Sequence, residues 1–266
     1  MYMLTSVSLD GVSRTAIGVA RVRARESTRA DRLFDDPYAA SFAALGEEPT
    51  EAPSPARLAI AFRIIMRTRF YDDWLRSRAA AGCRQFVLLG AGLDTRGFRL
   101  AWPDGTRLFE LDLPAVLDVK DAVLRRTDAQ STCDRHAVAA DLTTEWAPAL
   151  LAAGFDPGRP TAWLAEGLLV YLDATQTIHI LDTATALSAA GSGFATEALS
   201  GDHDRLTAPD MVATTSMWQG GLGPQTAEWL HTHGWTPQTV SLGDVARGYG
   251  RPASREPRGG FITATR

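Results

Sequence analysis

Several features that mark other classes of protein are scarce in this sequence of 266 residues. Its two cysteines, Cys83 and Cys133, are too few for a disulfide framework and have no metal-motif spacing, which indicates a reducing compartment. No apolar run approaches the ~20 residues of a membrane span, and residues 1–25 lack the charged-then-apolar pattern of a secretion signal. We therefore expect a cytoplasmic protein with no membrane partner.

Basic residues are fewer than acidic residues. With 27 basic and 31 acidic residues the net charge is −4, which does not attract a polyanion, so we expect no nucleic-acid partner. Lys120 is the only lysine, which indicates the codon bias of a GC-rich, bacterial genome. None of the five histidines lies in a recognised base pattern. His231 and His233 stand two apart on a predicted helix and point away from each other, so no metal site is expected.

Short apolar segments alternate with helical patterns along most of the chain. Strands are predicted at Gln85–Leu89, Arg107–Leu111, His136–Ala139, Thr161–Ala165, Gly193–Thr196, Thr236–Leu242 and Gly260–Thr265. Helices are predicted at Arg14–Arg29, Ala56–Ala80, Pro114–Thr127, Glu145–Ala153, Ala174–Ala190 and Gln225–His233. This alternation predicts an α/β fold, a doubly wound and mostly parallel sheet with helices on both faces. Residues 1–54 form a predicted helical N-terminal cover of the domain 55–266, and 200–223 a predicted lid insertion.

The first predicted strand runs directly into Gly90-Ala91-Gly92, with Asp94 and Thr95 following. In an open parallel sheet, ligands lie beyond the carboxyl ends of the strands, and the first strand-to-helix turn is the usual contact. The dinucleotide fingerprint requires a third glycine where Thr95 stands, which argues against NAD and FAD. A tight turn with a purely structural role is the alternative for these glycines.

Acidic residues follow the next three predicted strands. Asp112 lies 22 residues after Gly90, where a carboxylate can accept hydrogen bonds from a ribose; a helix cap before Pro114 is the alternative. Asp141 is placed to recognise an adenine edge, or serves as a loop residue. Glu166 stands in an apolar stretch and needs a partner, for which a cationic cofactor is one explanation. Together these strand ends predict one crevice for an adenosine-containing ligand.

The sequence resembles the leucine carboxyl methyltransferase-like family of class I methyltransferases, which depend on S-adenosylmethionine (SAM). The family includes polyketide carboxyl O-methyltransferases, a phosphatase C-terminal carboxyl methyltransferase and many actinobacterial proteins. The resemblance extends from about residue 13 to 240 and rests on Thr15–Ala16, Phe34–Ala39, Arg67–Phe70, Leu89–Arg96, Phe109–Val116, Asp141–Leu142, Ala165–Leu172 and Leu230–Trp235. It implies a Rossmann-like sheet of about seven strands and SAM as the cofactor of a domain over 55–266.

The resemblance also implies which residues bind SAM. Arg67 would pair with the methionine carboxylate, although the spacing to Gly90 leaves Arg69 as a second candidate. Glu166 would lie near the methionine ammonium or sulfonium group. The remaining cofactor-binding residues that it implies are Gly90, Ala91, Gly92 and Asp94 in the glycine loop, Asp112 and Leu113 at the ribose, and Asp141 and Leu142 at the adenine.

The resemblance favours a small-molecule or peptide acceptor that carries a carboxylate. Such a group is already ionised near pH 7, so no general base is needed. Methylation of a hydroxyl or phenol in secondary metabolism is the first alternative, with His203 as the candidate base and Tyr171 as a candidate wall of the acceptor pocket. A Rossmann-type NAD(P) oxidoreductase is the second alternative. The arginines of segment 14–32 are candidates for holding an anionic substrate, or form a solvated helix face.

Overall fold

A seven-stranded sheet runs through the part of the chain that the computed structural model describes, which is residues 11–47, 52–199, 212–251 and 257–266. The strands are β1 (Gln85–Leu89), β2 (Arg107–Asp112), β3 (Asp134–Ala139), β4 (Thr161–Ala165), β5 (Gly193–Ala198), β6 (Thr236–Ser241) and β7 (Gly260–Thr265). Their order is β3-β2-β1-β4-β5-β7-β6. The first five are parallel and β7 is antiparallel to both of its neighbours. The strand order reverses between β1 and β4, where open α/β sheets bind ligands.

Within the described ranges, three α-helices precede β1 and the others follow it. They are α1 (Gly11–Ser27), α2 (Ala39–Ala43), α3 (Pro55–Ala80), α4 (Arg96–Arg99), α5 (Pro114–Arg126), α6 (Ala147–Ala152), α7 (Ala174–Ala186), α8 (Val212–Thr215), α9 (Thr226–Thr232) and α10 (Leu242–Gly248). Ser54 caps α3 by accepting a hydrogen bond from the Arg57 N–H. Asp173 and Gln176 form the capping box that their spacing predicts at the start of α7.

Both faces of the sheet are covered, because alternate side chains of the central strands enter different cores. Val87 and Leu89 of β1 pack in a core with α6, α7 and α9, whereas Phe86 and Leu88 pack in a core with α3 and α10. All five β1 residues are buried, as expected for a strand between two helical layers. A third, smaller core contains Ile17, Phe42, Leu93, Val123 and other residues, and it joins α1 and α2 to the turn after β1 and to α5.

The predicted α/β class and mostly parallel sheet are confirmed, and each predicted strand begins and ends within two residues of its observed bounds. The predicted sixth strand ends one residue too late, because Ser241 caps α10 by accepting the Asp244 N–H and Leu242 is already helical. The short helices α4, α8 and α10 were not predicted. In the described part of the chain, no helix has both the length and the apolar character needed to span a membrane.

Candidate functional site

The turn after β1 brings the backbone close to the end of β2. Gly90 has a φ of 63°, which L side chains rarely adopt, and a Cβ there would lie 2.9 Å from Cδ1 of Leu168. The Ala91 N–H donates to the Leu111 carbonyl at 2.9 Å. The glycine loop therefore folds over β2 and also packs against the loop that follows β4.

Asp112 holds this turn in place from the end of β2. Its Oδ2 accepts the Gly92 N–H at 2.6 Å, and its Oδ1 accepts the Leu113 N–H at 2.7 Å. The N-cap residue of α5 is Leu113, and no side chain caps the helix there. Asp112 is therefore not the N-cap of α5, and its carboxylate joins the glycine loop to Leu113 at the start of that helix.

Asp141 and Leu142 form the neighbouring loop, after β3. The Asp141 carboxylate accepts hydrogen bonds from the Thr143 N–H at 2.9 Å and the Thr143 hydroxyl at 2.7 Å, and Leu142 is buried. The Ala140 N–H donates to the Asp112 carbonyl at 2.9 Å, which ties the end of β3 to that of β2. These contacts place Asp141 and Asp112 on adjoining strand ends, as predicted.

Glu166 lies after β4 and is paired with Arg67 of α3. Arg67 Nε donates to Glu166 Oε1 at 3.1 Å, and Arg67 Nη1 lies 3.3 Å from Glu197 Oε1. Arg69, the second candidate, is directed elsewhere, with Nε 2.8 Å from Asp73 Oδ2. The geometry thus places Arg67 at the strand ends. The partners that Glu166 was expected to need are arginines of the protein itself, Arg67 and Arg96.

Glu197, at the end of β5, belongs to the same group of charges although the sequence analysis did not single it out. Its Oε1 also accepts the Gly167 N–H at 2.8 Å. Burial raises the pKa of Glu197 and the Glu166 carboxylate adds to this, while Arg67 opposes it. The sequence analysis selected Asp112, Asp141 and Glu166 because acids at the carboxyl ends of parallel strands are placed to contact a ligand. The same rule, applied to the end of β5, would have identified Glu197.

Arg96 is the second residue that the sequence analysis missed, although it ends the family-like run Leu89–Arg96. Its side chain is 1 % exposed and is paired with Asp94, with Asp72 of α3 at 2.6 Å and with Glu166 at 2.7 Å. Burial alone would raise the pKa of Asp94, but Arg96 and more distant cations lower it to about 2. Asp94 therefore faces this buried arginine, which ties the loop after β1 to the loop after β4.

Helix α1 lies above these loops. The Tyr171 hydroxyl and the Thr15 hydroxyl are 3.2 Å apart, and Arg23 donates to the Leu93 carbonyl at 2.5 Å. Beside Tyr171, the Gln219 side chain donates to the Tyr171 carbonyl at 2.9 Å, so the described end of segment 200–223 packs on the same loop. His203, the candidate base, lies outside the described residues, as does the rest of 200–211.

The four histidines within the described ranges form no hydrogen bond or ion pair with Gly90, Asp112, Glu166 or Glu197. His136 contacts Asp134 at 3.1 Å, and His179 contacts the Thr144 carbonyl at 2.8 Å. His233, the residue after α9, stacks on Trp229 of that helix. His231 also lies in α9. The charged groups at the ends of β4 and β5 are consequently arginines and carboxylates.

Comparison with known proteins identifies relatives of this arrangement. A model of the leucine carboxyl methyltransferase family matches residues 16–185. A protein of Frankia alni, named as an S-adenosyl-L-methionine-dependent methyltransferase, is 46 % identical over 96 % of this chain and 95 % of its own length. A Streptomyces coelicolor protein of the same name is also 46 % identical, over 98 % of this chain and 97 % of its own.

Solved structures of low sequence identity share the fold. A methyltransferase structure from Thermobifida fusca has a TM-score of 0.56 at 18 % identity, covering 93 % of this chain and 94 % of that one. Magnesium protoporphyrin IX methyltransferase from Synechocystis, solved with SAM bound, has a TM-score of 0.52 at 11 % identity. The match covers 98 % of this chain and 100 % of that one. At such identities the likeness concerns the fold alone.

Proposed function

Because this chain belongs to the leucine carboxyl methyltransferase family and is a SAM-dependent methyltransferase, we propose that it methylates a carboxylate oxygen of a small metabolite or of a peptide terminus. The family, fold class and cofactor predicted from the sequence are confirmed. The oxidoreductase alternative finds no support, since the family model and the relatives are those of methyltransferases.

The donor set at the strand ends fits the methionine part of SAM. An amino acid tail presents a carboxylate and an ammonium group, and the adjacent sulfonium carries a further positive charge. Arg67 offers a guanidinium that can bind a carboxylate in a bidentate manner, and Glu166 and Glu197 offer negative charge within 3.3 Å of it. We propose that Arg67 binds the carboxylate and Glu166 faces the cationic groups, with Gly90 leaving space for the backbone to approach.

The nucleoside part would then lie over β2 and β3. Asp112 is oriented by two backbone N–H groups, and a carboxylate held in this way suits the two hydroxyls of a ribose. Asp141 and the buried Leu142 are proposed to contact the adenine, with Asp141 next to its edge and Leu142 against its plane. We propose that four further residues complete the cofactor site, which are Ala91, Gly92 and Asp94 of the glycine loop and Leu113 at the start of α5. Asp94 is held there by its ion pair with Arg96.

A carboxylate acceptor suits the arginines and carboxylates at the described strand ends. Bound SAM supplies an electrophilic methyl group on sulfur. The transfer forms an oxygen–carbon bond and breaks a carbon–sulfur bond, whose electron pair stays on sulfur. A carboxylate acceptor loses no proton in this reaction, so the protein has only to align the acceptor and exclude water.

We propose that residues 1–54 cover the site and that segment 200–223 closes it as a lid. Support comes from α1, which contacts the loops after β1 and β4, and from Gln219, which packs on Tyr171. Tyr171 is accordingly proposed to line the acceptor pocket. A role in secondary metabolism and a cytoplasmic location are part of the same proposal, the latter resting on the low cysteine content.

The product identifies the acceptor group. The enzyme is incubated with methyl-labelled SAM and with matched acceptors that differ only in bearing a carboxylate or a phenol. We expect a labelled methyl ester, which mild alkali hydrolyses to release labelled methanol. The Asp112→Asn variant serves as the control for SAM-dependent labelling. A labelled product that survives alkali, formed from the phenol and not from the acid, would overturn the carboxylate proposal in favour of a hydroxyl acceptor.

A further inference from the structure

Arg63 stands one helical turn before Arg67 on the same face of α3 and has few partners. Its single hydrogen bond among the described residues is a long one, 3.5 Å from Nη2 to the Arg258 carbonyl, and its buried Nε has none. No carboxylate of the described chain lies within ion-pair distance of it. Burial lowers the pKa of Arg63 while the nearby Glu197 charge raises it. A partly buried guanidinium with so few acceptors is costly unless an anion binds there.

Tyr71 continues the same helix face two turns beyond Arg63. Its side chain is fully buried and its hydroxyl has no hydrogen-bond partner. Burial raises the pKa of Tyr71, and the Glu197 and Glu166 carboxylates raise it further, so the hydroxyl keeps its proton and stays a donor. Arg63, Arg67 and Tyr71 thus form a donor stripe along α3, of which Arg67 alone is paired with carboxylates.

The Arg63 guanidinium packs closely against the backbone where β5 ends and β7 begins. Gly259 has a φ of 73°, and a Cβ at this position would collide with the Arg63 guanidinium and lie 2.8 Å from the Ala198 carbonyl. Arg63 therefore marks the end of β5, one strand beyond the Arg67–Glu166 pair at the end of β4.

The strand order indicates which ligand group lies beside Arg63 at the end of β5. Adenine, ribose and methionine are proposed to lie over β3, β2 and the β1–β4 pair, which are neighbours in that order. The next strand is β5, about 4.8 Å further on, and it lies on the side that the methionine end reaches. Glu197 lies near Arg63 but not within ion-pair distance of it, so an anionic acceptor placed between the Arg63 guanidinium and the sulfonium would be attracted by both.

We propose that Arg63 binds the carboxylate of the methyl acceptor, with the Tyr71 hydroxyl as a neighbouring donor. The inference rests on the proposed carboxyl methylation and makes Arg63 the residue that selects an anionic acceptor. It adds a substrate contact on α3 to the cofactor contact proposed for Arg67.

Binding to the protein saturated with S-adenosylhomocysteine (SAH) tests this without turnover. Acetate, hexanoate and benzoate are titrated by calorimetry, each against its uncharged amide, with phenol as a further probe. We expect the wild type to prefer the carboxylate that fits best over its amide, and Arg63→Gln to lose that preference about tenfold or more. Arg63→Lys restores part of it, and Arg76→Gln, an exposed arginine of the same helix, leaves it unchanged.

SAH affinity, measured first, reports whether each variant is folded; Arg63→Met replaces Arg63→Gln in the comparison if the latter loses SAH binding. An undiminished carboxylate preference in the uncharged variant would refute the role of Arg63 while leaving carboxyl methylation standing. A wild type that prefers no carboxylate over its amide also overturns the inference. If the wild type also binds phenol and forms an alkali-stable methylated product, both the inference about Arg63 and the proposed carboxyl methylation are wrong.

Discussion

Replacing Arg96 by methionine removes the cation at the centre of the buried ion pairs. Arg96 is paired with three carboxylates, those of Asp72, Asp94 and Glu166, and its side chain is 1 % exposed. Asp72 keeps Arg99 at 2.6 and 2.8 Å, and Glu166 keeps Arg67 at 3.1 Å. Asp94 loses its ion-pair partner among the described residues, so the cost of the change falls mainly on Asp94.

The lowered pKa of Asp94, to which Arg96 contributes most among the cations, indicates the size of this cost. Its displacement from 3.8 to about 2 corresponds to about 2 kcal/mol of stability at neutral pH. Removing one partner of a buried ion pair costs about 3–5 kcal/mol in general. We therefore expect Arg96→Met to lower the free energy of unfolding by about 3 kcal/mol, a large part of the ~5–15 kcal/mol of a typical domain.

Urea unfolding at neutral pH measures the loss. Arg76→Gln is the matched control, since Arg76 on α3 is 49 % exposed beside Asp73, and its replacement should change stability by less than about 0.5 kcal/mol. Arg96→Lys keeps the charge but cannot form the forked contacts, so an intermediate loss is expected.

The pH dependence supplies a second check. Because the pKa of Asp94 is lowered in the folded protein, its contribution is complete well above 3.8 and is lost as the pH falls towards 2. Without Arg96 this contribution is missing at neutral pH, and protonation of Asp94 at lower pH relieves the cost. The deficit of Arg96→Met should thus shrink as the pH falls towards about 4. A loss below about 1 kcal/mol, or a deficit that grows on acidification, would refute the reasoning.

Three further substitutions probe the site. Asp112→Asn should weaken SAH binding about ten- to a hundredfold by calorimetry, since it removes a charged acceptor at the proposed ribose site; unchanged affinity would exclude Asp112 from the site. Gly167→Ala places a methyl group 3.0 Å from Arg67 Nη1 at a φ of 63°, and should cost about 1–2 kcal/mol in urea unfolding and weaken SAH binding. Tyr171→Phe removes the contact with Thr15 and should speed hydrogen exchange in α1 while SAH affinity stays within about twofold; unaltered exchange would show that the bond does not hold α1.

The fold was largely predictable because its elements carry strong local signals. The strands β1 and β4 are continuous apolar runs that end at glycine or acidic residues, and α7 begins with a capping box. The short helices α4, α8 and α10 have four to seven residues, too few to show a helical period. The antiparallel direction of β7 depends on the path from β6, which periodicity does not encode.

The site was predictable where a residue follows a strand and less so where its role depends on a distant partner. The positions of Asp112, Asp141 and Glu166 follow from the rule that parallel strands end at one edge of the sheet. Which of Arg67 and Arg69 lies at the strand ends depends on the rotation of α3 about its axis, and the Glu166 contact shows that it is Arg67; its binding of the SAM carboxylate stays a prediction. Arg96 and its partner Asp72 are 24 residues apart in the sequence, and only packing brings them together.

Charge balance links the proposed cofactor and acceptor sites. Among the described residues, the connected ion pairs join four arginines (Arg23, Arg67, Arg96 and Arg99) to five carboxylates (Asp36, Asp72, Asp94, Glu166 and Glu197). With all nine ionised, the cluster carries one negative charge, which matches the single net positive charge of SAM. Arg63 stands outside these pairs and carries the positive charge that a carboxylate acceptor matches. With the proposed carboxylate acceptor, methyl transfer removes the sulfonium charge and the acceptor charge together, so both proposed attractions end in the same step and we expect the products to be bound less tightly than the substrates.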